Sequence, residues 1–140
     1  MYDLEKINKH LIELLKDLEN LDKHKSVTVA SLKKDLDLLW ILERGIYLAI
    51  QNLFDLFAHI ISAELNEKWE SYADIAETLL KYSIVDNDQY DTLIKMAGFR
   101  NRLSHEYLSL DHQVITDIVS NKLIDFYKFA DLVKKHCNLI

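Results

Sequence analysis

Between Leu32 and Ile61 the chain reads LKKDLDLLWILERGIYLAIQNLFDLFAHII. Apolar side chains recur in this stretch at helical spacing, and no proline interrupts them: Leu32, Leu36, Leu39, Trp40, Tyr47, Ile50, Phe54, Phe57 and Ile61. Such a period is typical of a helix that buries one face. Ser31, just before the stretch, is a residue type that caps helix N-termini. The sequence therefore predicts one long helix over about residues 30–65.

The rest of the chain carries the same pattern. A first helix, over about residues 2–23, is indicated by apolar residues three and four positions apart: Leu4, Ile7, Leu11, Leu14, Leu18 and Leu21. A shorter helix follows Ser71, a fourth starts near Asp88, and a fifth runs from Asp111 to about Lys135. Because the chain has no proline and only two glycines, and its connections are short, we expect an all-α fold. The predicted architecture is an up-and-down bundle of four main helices plus one shorter helix.

Composition limits the classes of protein that the chain can belong to. Its 140 residues suit a single helical domain over residues 1–140. A content of 49% hydrophobic and 29% charged residues excludes an intrinsically disordered segment, and no apolar run approaches the length of about 18 residues that predicts a membrane span. The net charge of −6 excludes coating of nucleic acid by bulk charge, so any RNA contact must be local. The single cysteine, Cys137, and an N-terminus without a signal-peptide core predict a reducing cytoplasm.

A polar stripe interrupts the long helix. Arg44, Gln51 and Asp55 are seven and four residues apart, which places them on one side of a helix. Arg44 stands between Trp40 and Tyr47 at helical spacing, so we expect it to face the core. Three interpretations follow: an internal Arg44–Asp55 network, a polar stripe at the edge of the bundle, or supporting residues that hold a catalytic group, because a buried charge needs a partner.

His59 continues the polar stripe one turn beyond Asp55. We favour a structural hydrogen bond for this imidazole over a catalytic role.

The second irregular stretch is GFRNRLSHEY at residues 98–107. A glycine within a helix costs about 1 kcal/mol, so Gly98 predicts close packing against another part of the molecule. Asn101 and His105 share a helix face, whereas Arg100 and His105 point about 140° apart in a regular helix. The arginine must then reach round, or act with a second copy of the chain. Tyr107 shares the side of His105 only if the backbone becomes extended after His105.

These residue types suit RNA cleavage without a metal. An imidazole can take the proton of a ribose 2′-hydroxyl or protonate the leaving oxygen, and a guanidinium can stabilise the charge on the phosphate. The reaction needs both an acid and a base, but the motif supplies one histidine, so a two-fold dimer would complete the site. No two of the six histidines stand at i, i+4, and neither a glycine-rich phosphate loop nor a nucleophile elbow is present, so we predict no cofactor and no metal.

The string from Arg100 to Tyr107 resembles the R-N-x-x-x-H and R-x4-H-x-Y signatures of HEPN domains, in particular the HepT-like toxins. The polar stripe of the long helix, Arg44, Gln51 and Asp55, also fits that pattern. The resemblance implies an α-helical bundle that forms a homodimer with the active cleft at its interface. It further implies that Arg100 and His105 are the catalytic pair of a metal-independent endoribonuclease, and that Asn101 orients them.

The same resemblance implies a type VII-like toxin–antitoxin system. HepT relatives are paired with a minimal nucleotidyltransferase antitoxin, which inactivates them by transferring AMP to the motif tyrosine, here Tyr107. The alternative is a non-enzymatic HEPN module that binds a nucleotide or a partner through Arg100 and Tyr107. A purely structural helical adaptor is a third possibility.

Overall fold

A computed structural model describes residues 3–105 and 111–139. Within these ranges the chain is helical and contains no strand, so the all-α prediction is confirmed. The helices are α1 (Leu4–Asp22), α2 (Val29–Lys34), α3 (Leu36–Ile60), α4 (Tyr72–Lys81), α5 (Asn87–Leu103), α6 (His112–Asp117) and α7 (Leu123–His136). Two π-helical segments extend them: π1 (Ile61–Leu65) after α3, and π2 (Ile118–Lys122) between α6 and α7.

The buried apolar side chains form one contiguous cluster centred on α3. Phe57 of α3 meets Phe129 of α7 edge to face, with ring centroids 5.9 Å apart. Helix α1 packs closely along α3 at Gly45, where an added Cβ would lie 2.7 Å from Cδ2 of the buried Leu21. A Cβ at position 45 would force the buried side chain of Leu21 to shift, which explains the glycine there.

The predicted helix over residues 30–65 is divided near its start. Asp35 has extended backbone angles (φ −130°, ψ 91°), ends α2 and caps α3 by accepting the Leu38 N–H at 3.1 Å. An aspartate side chain competes with the helix for backbone donors, so it favours a cap over a helix interior. The cap of α2 is Thr28 rather than the predicted Ser31, which instead completes a capping box with Thr28.

The remaining helix boundaries agree closely with the predictions. Helix α1 ends at Asp22, Ser71 caps α4, Asp86 caps α5 and Asp111 caps α6. The predicted fifth helix contains π2, in which the backbone widens by one residue per turn. Residue 2, the predicted start of the first helix, lies outside the described residues.

The segment Leu36–Leu65 is long and apolar enough to cross a membrane by length and composition, with a mean hydropathy of 1.4 in its most apolar window. This differs from the expectation that the sequence holds no apolar run long enough to span a membrane. However, 56% of that window is buried within the described bundle. Burial of α3 as the central core helix accounts for its apolar composition.

Candidate functional site

Arg100 is held by two tyrosines that come from distant parts of the chain. It lies on α5, half-buried, and its Nη2 donates to Tyr47 Oη at 3.1 Å. Its Cζ lies 4.8 Å from the ring centroid of Tyr47 and 4.6 Å from that of Tyr72. Both contacts are within the range of cation–π attraction. Tyr47 and Tyr72, the tyrosine clamp, therefore fix the guanidinium in one orientation.

The tyrosine clamp is itself anchored in the core. Tyr72, the first residue of α4, stacks on the fully buried Phe54 of α3 with centroids 4.3 Å apart and planes 3° from parallel. Burial raises the pKa of the Tyr72 hydroxyl, against the lowering effect of the Arg100 charge. The phenol thus stays neutral, and Arg100 Nε is buried without a hydrogen-bond partner in the described part of the chain. Among the described residues, ring contacts and one hydrogen bond, rather than an ion pair, hold the guanidinium.

Asp55 is electrostatically coupled to Arg100. Burial raises the pKa of this half-buried carboxyl, and the charges of His10, Arg100 and Lys6 act in the opposite direction. Gln51, one turn earlier on α3, is also half-buried. Asp55 therefore lies within electrostatic range of the Arg100 guanidinium, and its supporting role stays a prediction.

The predicted position of Arg44 is wrong. Arg44 is exposed, and its Cζ lies 5.5 Å from the Tyr47 ring rather than facing the core. Trp40, which was expected to lie on the buried face, is 61% exposed. The buried face of α3 is centred on Leu42, Ile46, Ala49 and Leu53 instead, so residues 40 and 44 turn outward. An internal Arg44–Asp55 network is consequently not formed.

His59 has the structural role that the sequence favoured. Its Nε2 accepts the backbone N–H of Asp3, the N-cap of α1, at 3.0 Å. Burial and the nearby Lys6 lower the pKa of the imidazole, which keeps it neutral and able to accept. The bond ties the start of α1 to the end of α3.

The motif residues lie at the C-terminal end of α5. Asn101 and His105 are exposed, and Ser104 ends the helix, so His105 lies just beyond it with its N–H donating to the carbonyl of Arg102 at 3.2 Å. Because α5 stops at Leu103, the 140° separation expected for a regular helix does not fix how Arg100 and His105 face each other. Tyr107 lies outside the described residues.

A cleft of about 500 Å³ opens beside Arg100, between the start of α4 and α5. Asn101, Tyr72 and the partly exposed Trp69 line this Arg100 cleft. Gly98 lies on the same wall, and apart from its chain neighbours and its own helix backbone no atom of the described residues comes within 4 Å of a Cβ added there. Among the described residues of one chain, the prediction of close packing at Gly98 is therefore wrong.

The sequence did not single out Tyr47 or Tyr72 as site residues. The sequence pattern predicts Tyr47 as one apolar position of the long helix and Tyr72 as the start of a short helix, and nothing local to either residue indicates a contact with Arg100. Within residues 3–105 and 111–139, no group of three or more histidine, cysteine, aspartate or glutamate side chains could hold a metal ion.

Comparison with known proteins gives a consistent picture. The family model described as Ribonuclease HepT-like matches residues 7–133. The chain is 31% identical over 65 residues to the mRNA nuclease HepT of Shewanella oneidensis, a match that covers 46% of this chain and 49% of that protein. The aligned region thus spans about half the length of this curated relative.

Solved structures resemble the chain over nearly its whole length. The tri-AMPylated HEPN toxin of Shewanella oneidensis, solved in complex with the MNT antitoxin, aligns with a TM-score of 0.85 at 21% identity, over 96% of this chain and 99% of that one. YutE, a cytosolic protein of unknown function from Bacillus subtilis, aligns with a TM-score of 0.78 at 23% identity, over 97% and 92% of the two chains. At such identities the likeness establishes the fold, which is the HEPN-like bundle expected from the motif.

Proposed function

The chain belongs to the Ribonuclease HepT-like family, and from that premise we propose that it is the toxin of a type VII-like toxin–antitoxin pair, a metal-independent endoribonuclease. The observation that carries the proposal is the clamped Arg100 at the edge of a cleft of about 500 Å³. A cation held in one orientation, with room for a ligand beside it, suits stabilisation of a transition state that gains negative charge. A cytoplasmic location is part of the proposal.

In the proposed reaction His105 removes the proton from a ribose 2′-hydroxyl. The 2′-oxygen attacks the adjacent phosphorus, the bond from phosphorus to the 5′-oxygen breaks, and a 2′,3′-cyclic phosphate and a 5′-hydroxyl end result. Arg100 stabilises the negative charge that builds up on the phosphoryl oxygens, and Asn101 orients the reacting groups. The 5′-oxygen takes a proton from a second acid, for which His105 of a second copy is the candidate.

A homodimer is therefore part of the proposal, and the exposed apolar residues of α3 support it. Leu36, Trp40 and Ile41 are each more than half exposed, on the turns of α3 that precede the tyrosine clamp. Neighbouring large apolar side chains in water are typical of an interaction surface. A second copy docked on this apolar surface of α3 would lie close to Tyr47 and Arg44.

The dimer is tested with Ile41→Asp, for which Ile12→Asp is a matched control because both isoleucines are 57% exposed. We expect Ile41→Asp to sediment as a monomer and to lose cleavage, while Ile12→Asp keeps the mass and activity of the wild type. Dimers of equal stability in both variants would contradict the proposed interface.

Cleavage is tested by incubating the purified protein and its His105→Ala variant with RNA in the presence of EDTA. We expect cyclic-phosphate ends from the wild type and intact RNA from the variant, with unchanged helical content by circular dichroism. Wild-type protein that binds the RNA but leaves it intact would favour the alternative, a non-enzymatic HEPN binding module. Cleavage that stops in EDTA and returns with a divalent cation would contradict metal independence.

Control by a minimal nucleotidyltransferase antitoxin is the last part of the proposal. Its support is the motif tyrosine, Tyr107, together with the fold shared with an AMPylated toxin. Co-expression with a cognate minimal nucleotidyltransferase should raise the intact mass by one or more AMP groups, and Tyr107→Phe should prevent the gain. An unchanged wild-type mass would contradict nucleotidylation.

A further inference from the structure

A second cleft lies on the opposite side of α5 from the Arg100 cleft. It encloses about 300 Å³ between α5, π2 and α7, with α3 beneath. Its floor is apolar and includes the buried residues Met96, Phe99 and Phe126. We call it the Lys122 cleft, after the residue that π2 contributes to its rim. Its volume is at the lower end of the range for small-ligand sites, about 300–1,000 Å³, and suits one planar ring system.

The rim of the Lys122 cleft carries three cations. Lys95 and Arg102 come from α5 and Lys122 from π2, and all three side chains are exposed. None of them forms an ion pair within the described residues, although the half-buried Asp117 and Asp125 line the same cleft. Arg102 Cζ lies 5.4 Å from the ring centroid of Phe99, one of the floor residues. In a chain of net charge −6, cations without an ion pair among the described residues, set around an apolar floor, suit an anion that also carries a ring.

The two carboxylates add a hydrogen-bonding preference. Asp117 already accepts from Asn121 Nδ2 at 2.8 Å, which leaves capacity on its other oxygen, and Asp125 is half-buried beside the floor. Ionised carboxylates only accept hydrogen bonds. A ring that reaches the floor is therefore favoured if it presents an N–H₂ donor.

From these contacts we propose that the Lys122 cleft binds one nucleotide of a single-stranded RNA, with the phosphate on the rim cations and an amino-bearing base on the apolar floor. The inference rests on the proposed ribonuclease function and adds a substrate site to it. Arg100 lines the Arg100 cleft and Arg102 lines the Lys122 cleft, on opposite sides of α5. An RNA strand that crosses the C-terminal end of this helix would therefore contact both clefts. Single-stranded RNA is recognised in this way, by splayed bases and local cations.

The test measures binding of fluorescent oligocytidine and oligouridine to the His105→Ala protein, so that cleavage cannot interfere. The double variant Lys95→Gln/Lys122→Gln is compared with Lys33→Gln/Lys34→Gln, an exposed pair on α2 with the same change in net charge. We expect only the cleft variant to lose affinity for RNA. Its plot of log affinity against log salt concentration should also be shallower by up to about 1.4, because each phosphate contact in a single strand contributes about 0.7 to the slope and two lysines are removed. Oligocytidine should bind about fivefold more tightly than oligouridine, since only cytosine offers an amino donor.

Several outcomes would overturn the inference. If the two double variants lose RNA affinity equally, the cleft lysines act only through general charge. If the protein binds oligocytidine and oligouridine with equal affinity, the proposed base site on the apolar floor is wrong. Unchanged RNA binding with lost co-purification of the antitoxin would assign the cleft to a protein partner. If the wild-type protein neither binds nor cuts RNA, the ribonuclease proposal fails together with this inference. If the wild-type protein cuts RNA and the Lys95→Gln/Lys122→Gln variant binds RNA equally well, only the inference about the Lys122 cleft fails.

Discussion

Replacing Tyr47 by phenylalanine tests whether the tyrosine clamp anchors Arg100. The change removes the hydroxyl that accepts from Arg100 Nη2 at 3.1 Å and keeps the ring at 4.8 Å from Cζ. A hydrogen bond to a charged group contributes about 1.5–3 kcal/mol, but Arg100 is only half-buried and water replaces part of the loss. We therefore expect the free energy of unfolding to fall by about 1 kcal/mol, which lowers Tm by about 3 °C in a protein of this size.

The same substitution should affect catalysis more than substrate binding. Without its acceptor the guanidinium can turn between the two rings, and loose positioning of a catalytic group reduces kcat, here by about tenfold, with KM little changed. Urea denaturation and steady-state cleavage of a short RNA measure the two effects.

Tyr82→Phe is the matched control for this prediction. It removes another tyrosine hydroxyl, which donates to Glu67 Oε1 at 2.7 Å on an exposed surface. Solvent replaces such a bond, so we expect neither stability nor kcat to change measurably. If Tyr47→Phe matches the wild type in both measurements, or if Tyr82→Phe loses as much, the reasoning about the Arg100 anchor is refuted.

Four further substitutions test the packing and the titrating groups. Gly98→Ala should stabilise the protein by about 1 kcal/mol through helix propensity, because the added Cβ has no close neighbour among the described residues. Gly45→Ala should destabilise the protein by about 1 kcal/mol, because the overlap of its Cβ with Leu21 outweighs the same gain in helix propensity. Thermal melts that rank the two variants in the reverse order would refute this. Burial raises the pKa of Asp55 above 3.8, so the folded state binds that proton more tightly and loses stability as the pH rises through the raised pKa. The stability of Asp55→Asn relative to the wild type should therefore increase from about pH 4 to pH 7, and a constant difference would count against the assignment. The pKa of His59 lies below 6.5, so the stability that this imidazole contributes is complete above pH 6.5 and is lost as the pH falls through the lowered pKa. His59→Gln keeps a hydrogen-bond acceptor but does not titrate. Its free energy of unfolding, measured by the same denaturation assay, should therefore fall less on acidification than that of the wild type.

Prediction from the sequence succeeded where a feature depends on neighbours along the chain. The helices followed from apolar spacing, and two of the caps, Ser71 and Asp111, from residue type. The predicted start of the fourth helix, near Asp88, lies close to the observed cap Asp86. The same local reasoning missed the division of the long helix at Asp35. The apolar period continues through this position, so the pattern predicts one helix although aspartate is a typical capping residue. It also assigned the wrong orientation to Arg44, since helical spacing gives relative angles between residues but not which face the core covers.

The amino-acid sequence by itself determined that the chain is all-α and that the motif of Arg100, Asn101 and His105 lies at the C-terminal boundary of one helix, because helical periodicity and motif spacing are properties of adjacent residues. The surroundings of Arg100 were decided only by the tertiary structure. Tyr47 is 53 residues away from it, and Tyr72 reaches it from another helix through its stack on Phe54. Packing of α4 and α5 against α3 sets those contacts, and the choice of which side of α3 is buried places Asp55 near Arg100 while leaving Arg44 in solvent.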